Sequence, residues 1–300
     1  MTNKEINFSK FFNSANIISL FAVLVSILFL FFKGLNYGVD FKGGTLLEIR
    51  IDNINIKIQD IRSSLNMAEL GDVNVKQFGQ EGDFLIKFEK NANENEKFIS
   101  DLKNVISKKI SSTVNFRRVE TVGPKVSSEL LRQGVTAIIL ALGAMLFYIW
   151  IRFEWQFSVG AIVALMHDVV ITLGIFSILS IEVNLSIVAA VLTIVGYSMN
   201  DTVVIFDRIR ENLLKYSKLK TKEIADISVN ETLSRTLITS LTTLLALFSI
   251  FILGGEILKG FSFAMILGVI IGTYSSIFVA GPVLNYFKVT QKTLLKDDDI

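Results

Sequence analysis

The sequence predicts an α-helical integral membrane protein with six transmembrane helices and a small α+β domain in water. Three observations predict this class. Apolar residues make up 51% of the 300 positions, they are concentrated in long blocks, and the blocks give way to a mixed pattern between residues 33 and 132. A soluble domain of this size has a similar or lower apolar share and spreads it periodically along its helices and strands.

Six blocks have about the 20 residues that a helix needs to cross a hydrocarbon core about 30 Å thick. They comprise residues 11–32, 133–151, 155–181, 183–206, 236–255 and 260–287. The first block is longer than the apolar region of a signal peptide, about 7–15 residues, and no small-residue cleavage pattern follows Lys33. We therefore expect the first block to be retained as a membrane anchor.

The distribution of Lys and Arg in the short loops predicts the orientation. Residues 207–235 contain seven of these basic residues and residues 288–300 contain three, whereas the short loops on the opposite side contain only Lys259. We therefore expect residues 1–10, the basic loop 207–235 and the tail 288–300 in the cytoplasm. Residues 33–132 then lie outside, and the absence of cysteine is consistent with export to an oxidising compartment.

The water-facing segment 33–132 has the pattern of a compact domain. Alternating or aliphatic-rich stretches predict four strands, and helical spacing of apolar residues predicts two helices. The strands are expected at residues 45–51, 72–78, 83–88 and 112–121, and the helices at 55–67 and 94–110. The order β-α-β-β-α-β predicts a ferredoxin-like sandwich. Such a fold carries no chemistry by itself, so a binding or spacer module is favoured over an enzyme.

Two of the apolar blocks contain an acid, and charged side chains at membrane depth usually mark an ion path or a partner. Asp168 lies at the middle of the third block. Asp201 lies six residues before Asp207, roughly 9 Å inside the cytoplasmic end at the helical rise of 1.5 Å per residue. Arg235 opens the fifth block from the same side, so Asp201 and Arg235 could meet if their helices are neighbours. A movement that alters this contact would couple protonation to conformation, whereas a purely structural ion pair is the alternative.

Hydroxyl groups continue the face of the helix that Arg235 begins. Thr239 lies one turn further on, and the hydroxyls of this stretch could host water or relay protons; they belong to Thr239, Ser240, Thr242 and Thr243. His167 precedes Asp168 directly. A proton relay through His167 is conceivable, but a single His is more often a packing residue with satisfied hydrogen bonds, and that interpretation is favoured.

Small residues recur at four-residue spacing in the last block and predict a face where another helix approaches closely. They are Ala264, Gly268, Gly272, Ser276 and Ala280. We interpret this face as a helix-helix seam and not as a site. Gly196 and Asn200 form a shorter version in the fourth block, so Asn200 and Asp201 are expected to face protein and not lipid.

Five stretches of the chain, in order, carry a resemblance to a known family. The first, after the first span, reads Gly38-Val39-Asp40-Phe41-Lys42-Gly43-Gly44, and the others comprise residues 122–126, 164–169, 196–212 and 230–236. Together they resemble the SecD/SecF family over nearly the whole chain. The single small exported domain and the Asn200-Asp201-Thr202 sequence are similar to the SecF branch, and not to SecD or to a fused SecDF.

The resemblance implies a function in protein export. SecF proteins pair with SecD, and the two resemble the halves of proton-driven RND transporters in the bacterial inner membrane. The pair joins the SecYEG channel and uses the proton gradient to help complete export of unfolded preproteins, while SecA supplies the ATP-driven stage. By this resemblance Asp201 carries the proton, Arg235 and Thr239 line its path, and Asp168 is a recurrent acid. The remaining acid of the relay comes from SecD.

Other activities lack a signature in the sequence. It contains no Gly-x-x-x-x-Gly-Lys-Ser/Thr sequence for a nucleotide and no His-Glu-x-x-His or Gly-x-Ser-x-Gly sequence for a hydrolase. We therefore expect no enzymatic activity, metal or cofactor, and the net charge of +2 gives no indication of a nucleic-acid partner. Two alternatives remain open: an assembly subunit that stabilises SecD and the channel, with Asp201 structural, and half of an RND-type exporter of small molecules.

Overall fold

The computed structural model describes residues 6–52, 56–65, 73–77, 80–88, 100, 104, 106–108, 114–216 and 218–294. These residues divide into two compact units. The helical unit comprises the described residues within Met1–Asn36, Thr136–Ile181 and Ser186–Ile300, and the sheet unit comprises those within Tyr37–Val135 and Glu182–Leu185.

The helices and strands have the following bounds. The helices are α1 (Phe12–Phe32), α2 (Val39–Lys42), α3 (Ile58–Leu65), α4 (Pro124–Arg152), α5 (Trp155–Leu179), α6 (Leu185–Lys215), α7 (Thr221–Leu253), α8 (Gly255–Ser275), α9 (Gly281–Tyr286) and α10 (Gln291–Leu294). A 3₁₀ turn (Phe8–Phe11) precedes α1, and a π-helical turn (Ser276–Ala280) joins α8 to α9 without a break. The strands are β1 (Asn36–Tyr37), β2 (Gly44–Ile51), β3 (Val73–Gln77), β4 (Asp83–Phe88), β5 (Val114–Val122) and β6 (Glu182–Val183).

Six helices of the described chain are long and apolar enough to cross a membrane. They are α1 with its 3₁₀ turn, α4, α5, α6, α7, and the continuous helix formed by α8 and α9. The prediction of a mostly helical protein with six spans is therefore confirmed. In the described residues, α5 and α6 have many fully buried side chains, whereas α1, α4 and α7 expose large apolar side chains, as helices in contact with lipid or a partner do.

Phenylalanine side chains form the centre of the packing between α5 and α6. The rings of Phe157 and Phe206 meet edge to face with their centroids 5.2 Å apart. Phe153 stacks on Phe157 at 5.7 Å and meets Phe206 at 6.2 Å. Gly160 leaves room for this cluster, because a methyl group there would lie 3.2 Å from the Phe206 ring. This end of the helical unit is thus firmly packed close to the end of α6 that carries Asp207.

The basic segment 207–235, expected as a loop, is mostly helical. Helix α6 continues to Lys215 and α7 begins at Thr221, so only residues 216–220 connect them. A charge-free interval marks the apolar length of a helix, but intrahelical hydrogen bonds are satisfied in water as well as in lipid, so a helix can continue past it. Asn212 joins the two extensions, because its Nδ2 donates to Ser228 Oγ (3.0 Å) and to Glu231 Oε2 (2.7 Å).

The sheet unit contains a four-stranded sheet of order β3-β4-β2-β5 in which every neighbouring pair is antiparallel. Leu47 on β2 lies opposite Ile86 on β4, and both are fully buried. Helix α3 covers this core with Ile61 and Leu65. Each expected strand is present within two residues of its expected ends, and α3 lies within the expected helix at 55–67. The second expected helix, at 94–110, falls largely outside the described residues.

Candidate functional site

Asp201 lies on α6 with its carboxylate inside the helical unit. The residue is only 4% exposed. Its Oδ2 atom is buried and has no hydrogen-bond partner among the residues that the structure describes. The preceding residue, Asn200, is exposed on the same helix. A buried carboxylate oxygen without a hydrogen-bond partner makes the charged form of the acid costly.

Arg235 on α7 is a positively charged residue that interacts electrostatically with the carboxylate of Asp201. The guanidinium is exposed, and within the described parts of the chain no ion pair closer than 4.0 Å joins it to Asp201. The structure therefore brings the two predicted residues into one neighbourhood without direct contact. An arginine at this distance stabilises the charged form of the acid but does not fix its position.

The threonine hydroxyls of α7 are bonded within their own helix. Thr239 Oγ1 donates to the carbonyl oxygen of Arg235 (3.0 Å), and Thr243 Oγ1 donates to that of Thr239 (2.9 Å). Thr242 Oγ1 donates similarly to Ile238 O at 2.9 Å. Their lone pairs remain available to accept a proton donor. Thr239 thus lies one turn beyond Arg235 as expected, and its hydroxyl can serve as an acceptor along this face.

Asp168 occupies a different environment, with both carboxylate oxygens bonded. The residue is 0% exposed at the middle of α5. Its Oδ2 accepts from Ser198 Oγ on α6 (2.6 Å) and from Ser275 Oγ on α8 (2.8 Å). Its Oδ1 lies 2.9 Å from Nδ1 of His167. One carboxylate therefore joins three spans, which is the arrangement of a structural brace and differs from that of Asp201.

His167 extends this brace towards α1. Its ring stacks on Tyr274 with an interplanar angle of 25°. Tyr274 Oη donates to the carbonyl oxygen of Ala15 (2.9 Å) and lies 3.0 Å from Ser19 Oγ. His167 Nε2 is buried and has no hydrogen-bond partner in the described part of the chain. The ring thus packs between spans, as the favoured interpretation expected, but its hydrogen bonds are not all satisfied among the described residues.

The small-residue face of α8 lies against α6. A methyl group on Gly268 would overlap Ile194, and one on Gly272 would lie 3.0 Å from the Cβ of Ser198. One turn further, Ser276 Oγ lies 2.9 Å from Thr202 Oγ1. Ala264 and Ala280, at the two ends of the face, are fully buried. The face was predictable from its small residues but its partner was not, although Ile194, Ser198 and Thr202 repeat the same four-residue spacing.

Gly196 and Asn200 form no such seam with the part of the chain that the structure describes. A methyl group on Gly196 would meet no atom of the described residues within 4 Å. Asn200 is exposed. Of the two residues expected to face protein, Asp201 is buried, whereas Asn200 is exposed among the described residues, because consecutive residues of a helix point to different sides.

The Gly38–Gly44 motif is a tight connection between β1 and β2. Gly43 and Gly44 have φ angles of +79° and +117°, in the region that side chains disfavour. Phe41 is buried beside Tyr37, with the rings 6.1 Å apart. The Oδ2 atom of Asp40 accepts the backbone N–H of Leu185, the first residue of α6, at 2.8 Å. The motif therefore forms a turn and, through Asp40, also contacts the first residue of α6.

Metal binding has no candidate in the described residues. Among them, no three side chains of His, Cys, Asp or Glu lie close enough together to hold an ion. The single His is engaged with Asp168 and Tyr274.

Comparisons with protein families match two parts of the chain. The family described as protein export membrane protein SecD/SecF, C-terminal, matches residues 102–290. The family described as the SecD/SecF GG motif matches residues 28–53, which include Gly38–Gly44.

Relatives and solved structures match almost the whole chain. The protein translocase subunit SecF of Rickettsia rickettsii is 41% identical over 94% of this chain and 92% of its own length, and that of Vibrio alginolyticus is 44% identical over 92% and 88%. A crystal structure of SecDF from Thermus thermophilus, a translocon-associated membrane protein, matches 95% of this chain with 35% identity and a TM-score of 0.86. A SecDF structure in a super-membrane-facing form matches 96% with 34% identity and a TM-score of 0.71.

These SecDF matches concern only part of a longer protein, since the chain spans 39% of each SecDF chain. The SecF relatives, in contrast, are matched over most of their length. The fold, the GG motif and this extensive similarity agree, and the chain belongs to the SecF branch of the SecD/SecF family of protein export membrane proteins.

Proposed function

We propose that this SecF subunit works with SecD to couple the proton motive force to preprotein export through SecYEG. The chain acts as a translocase subunit and not as an enzyme, with SecA supplying the ATP-driven stage. The observation that supports this most strongly is Asp201. It is a buried acid within a span, near Arg235 but not paired with it, and its Oδ2 has no partner among the described residues.

The two charge states of this acid differ in their cost at membrane depth. An ionised carboxylate at membrane depth costs about 2.5–3.5 kcal/mol on insertion scales, so a structural acid is normally fully bonded, as Asp168 is. Asp201 is less completely bonded, since its Oδ2 has no partner among the residues that the structure describes. Protonation removes its charge and its attraction to Arg235, which changes how α6 and α7 interact electrostatically. A transfer of one charge through 100 mV supplies about 2.3 kcal/mol, enough to shift a balanced two-state equilibrium.

One face of α6 and α7 is not covered by any residue that the structure describes, and this exposed face supports SecD as the direct partner. Polar groups at membrane depth are unfavourable in lipid, yet Asn200 and Arg235 are exposed on their helices. Gly196 offers open space next to them. The small residue and the polar groups suit close packing against another helix bundle that contributes a complementary acid. We assign this face, defined by Gly196, Asn200 and Arg235, to the contact with SecD.

The orientation and the fold of the sheet unit are part of the proposal. The excess of Lys and Arg supports cytoplasmic termini in the bacterial inner membrane and an extracytoplasmic sheet unit. The sheet order β3-β4-β2-β5, entirely antiparallel, is that of a ferredoxin-like sandwich, which supports that assignment. In this arrangement a proton enters from outside, protonates Asp201 and shifts the SecD and SecF bundles, and the outer domain helps to move the emerging preprotein.

The experiment that tests the proposal compares Asp201→Asn with Asp207→Asn. Both lie on α6, but Asp207 is more than a third exposed and forms an ion pair with Arg152 at 2.8 Å. Inverted membrane vesicles containing SecD and SecYEG are assayed for export with and without a proton gradient. We expect Asp201→Asn to lose the gradient-dependent stimulation while Asp207→Asn keeps it.

Assembly is measured in the same vesicles by co-purification of SecD. Full gradient stimulation in Asp201→Asn would contradict the proposal. If Asp201→Asn loses the complex with SecD in the same proportion as it loses stimulation, the residue is a structural element of the assembly, and the alternative function as a stabilising subunit is correct.

A further inference from the structure

The four residues that precede and open α6 belong to the sheet unit. Glu182–Leu185 follow α5 and its short connection, yet they group with the residues around the Gly38–Gly44 motif. Three different groups of the sheet unit bind this short segment: a backbone amide, a carboxylate and an ammonium. We call these contacts the clasp, formed by Gly38, Asp40 and Lys87 on Glu182–Leu185.

The first contact of the clasp involves the beginning of α6. The backbone N–H of Leu185 is among the first four of its helix and has no acceptor within the helix. Asp40 Oδ2 accepts it at 2.8 Å. The negative charge of this carboxylate also interacts favourably with the positive end of the helix dipole. Asp40 therefore binds the start of α6 both by a hydrogen bond and by charge.

The other contacts hold the preceding strand, β6. The N–H of Gly38 donates to the carbonyl oxygen of Val183 at 2.9 Å. Glu182 forms an ion pair with Lys87, which lies on β4 opposite Leu46 of β2. A side chain at position 38 would place its Cβ 2.5 Å from Glu182 Oε1, so any residue larger than glycine there would displace the Glu182 carboxylate. The partners of Glu182 thus include a strand inside the four-stranded sheet.

Helix α6 is continuous between the clasp and the candidate proton site. Leu185 and Asp201 lie in one helix of 31 residues. Sixteen residues separate them, which is about 24 Å at 1.5 Å per residue. Because an uninterrupted helix is stiff, a shift or rotation at Asp201 is transmitted to Leu185. Whatever holds Leu185 and Glu182 then experiences the same displacement.

We infer that the clasp is a permanent mechanical link through which movement of α6 reaches the sheet unit. Asp40 and Glu182 are positioning residues: they take no part in proton transfer, and they make the sheet unit follow α6. This inference rests on the proposed function of Asp201. It assigns to the GG motif a second role besides its turn, namely to hold the first turn of the proton-carrying helix through Asp40.

The test uses charge reversal, which separates pairing from folding. Lys87→Glu and Glu182→Lys each place like charges together, whereas the double variant restores an ion pair of opposite polarity. Gradient-stimulated export is measured in vesicles that contain SecD and SecYEG. We expect about a five-fold loss of stimulation in each single variant and recovery of at least half of it in the double variant.

A second measurement follows the helical unit in the same vesicles. The chain contains no cysteine, so Leu214→Cys gives a single thiol at an exposed position of α6 beyond its apolar block, where the thiol is in water and maleimide can label it. If Asp201 carries the proton, the labelling rate depends on the gradient, and Asp201→Asn abolishes the dependence. We expect the single charge reversals to keep this dependence although they lose export, because α6 still moves while the sheet unit no longer follows.

Asp40 is tested with a matched control. Asp40→Ala removes the acceptor for Leu185 N–H, whereas Asp60→Ala removes a comparable acceptor, for the N–H of Lys57, elsewhere in the sheet unit. Only Asp40→Ala is expected to lose stimulation while keeping gradient-dependent labelling.

The outcomes separate the two hypotheses. Unchanged export in Asp40→Ala and in both charge reversals overturns the clasp, and so does loss of export that the double variant does not restore. Loss of labelling dependence together with export shows a general structural role and also overturns it. If the unmodified complex shows no gradient-dependent labelling, the proposed function of Asp201 fails, and the coupling role of the clasp fails with it.

Discussion

Replacing Asp168 with alanine removes the acceptor that joins three spans at a fully buried position. Ser198 and Ser275 lose bonds of 2.6 and 2.8 Å, and His167 Nδ1 loses one of 2.9 Å. Hydrogen bonds between membrane helices contribute on average about 0.6 and at most about 1.7 kcal/mol each. The two bonds that cross between helices, from Ser198 and Ser275, therefore correspond together to about 1–3 kcal/mol. Ser275 keeps its bond to the carbonyl oxygen of Gly272, which favours the lower half of that range.

Thermal unfolding of the purified complex in one detergent measures this effect. Asp168→Asn keeps one carbonyl oxygen as an acceptor and is expected to lose less stability than Asp168→Ala. Asp207→Ala serves as the control, since its ion pair with Arg152 is partly exposed and such pairs contribute about 0–1 kcal/mol. We expect stability to decrease in the order wild type, Asp207→Ala, Asp168→Asn, Asp168→Ala.

One result would refute the interpretation of Asp168 as a brace between spans. If Asp168→Ala unfolds at the same temperature as wild type and nevertheless loses gradient-stimulated export, the bonds around Asp168 are not a brace. Asp168 would then belong to the proton path together with Asp201. We expect instead that Asp168→Ala loses thermal stability and gradient-stimulated export in equal measure.

Two further predictions concern contacts elsewhere in the helical unit. A methyl group on Gly174 would lie 2.8 Å from the Cα of Ser26, so Gly174→Ala must displace α1 and should destabilise the protein by about 1–3 kcal/mol in thermal unfolding. Gly143→Ala, which meets no described atom within 4 Å, should be neutral or stabilising by up to about 1 kcal/mol, and equal effects would contradict the prediction. Asp226 accepts both N–H and Oγ–H of Ser9, at 2.7 and 2.6 Å. Asp226→Ala should therefore accelerate proteolytic cleavage near Ser9, and an unchanged rate would count against this docking.

The spans and strands were predictable from the sequence because apolar residues lie in lipid or in the protein core, whereas polar residues lie in water. Long apolar blocks identify lipid-facing or buried helices irrespective of their partners, and alternation identifies strands with one buried face. Helix length was not predictable in this way. The extension of α6 to Lys215 is held by Asn212, whose partners Ser228 and Glu231 lie across the connection to α7.

The environments of the acids depended on contacts between distant parts of the chain. Asp168 and Asp201 look alike as single acids in apolar blocks, but the partners of Asp168 come from residues 30 and 107 positions away. The residues next to each acid in the sequence do not reveal whether both of its carboxylate oxygens will be hydrogen-bonded, as in Asp168, or whether one will lack a partner among the described residues, as in Asp201. Likewise, Gly268 and Gly196 both have small or polar residues one turn away, yet of these two only Gly268 approaches another span within the described residues.

The central claim, that Asp201 gains and loses a proton, is tested most directly by infrared difference spectroscopy of the SecD-containing complex in liposomes. Acidification of the outside-equivalent compartment should produce the carbonyl band of a protonated carboxylic acid. The account predicts that this band is lost in Asp201→Asn and retained in Asp168→Asn and in Asp207→Asn. A band that persists unchanged in Asp201→Asn, or that disappears only in Asp168→Asn, would contradict it.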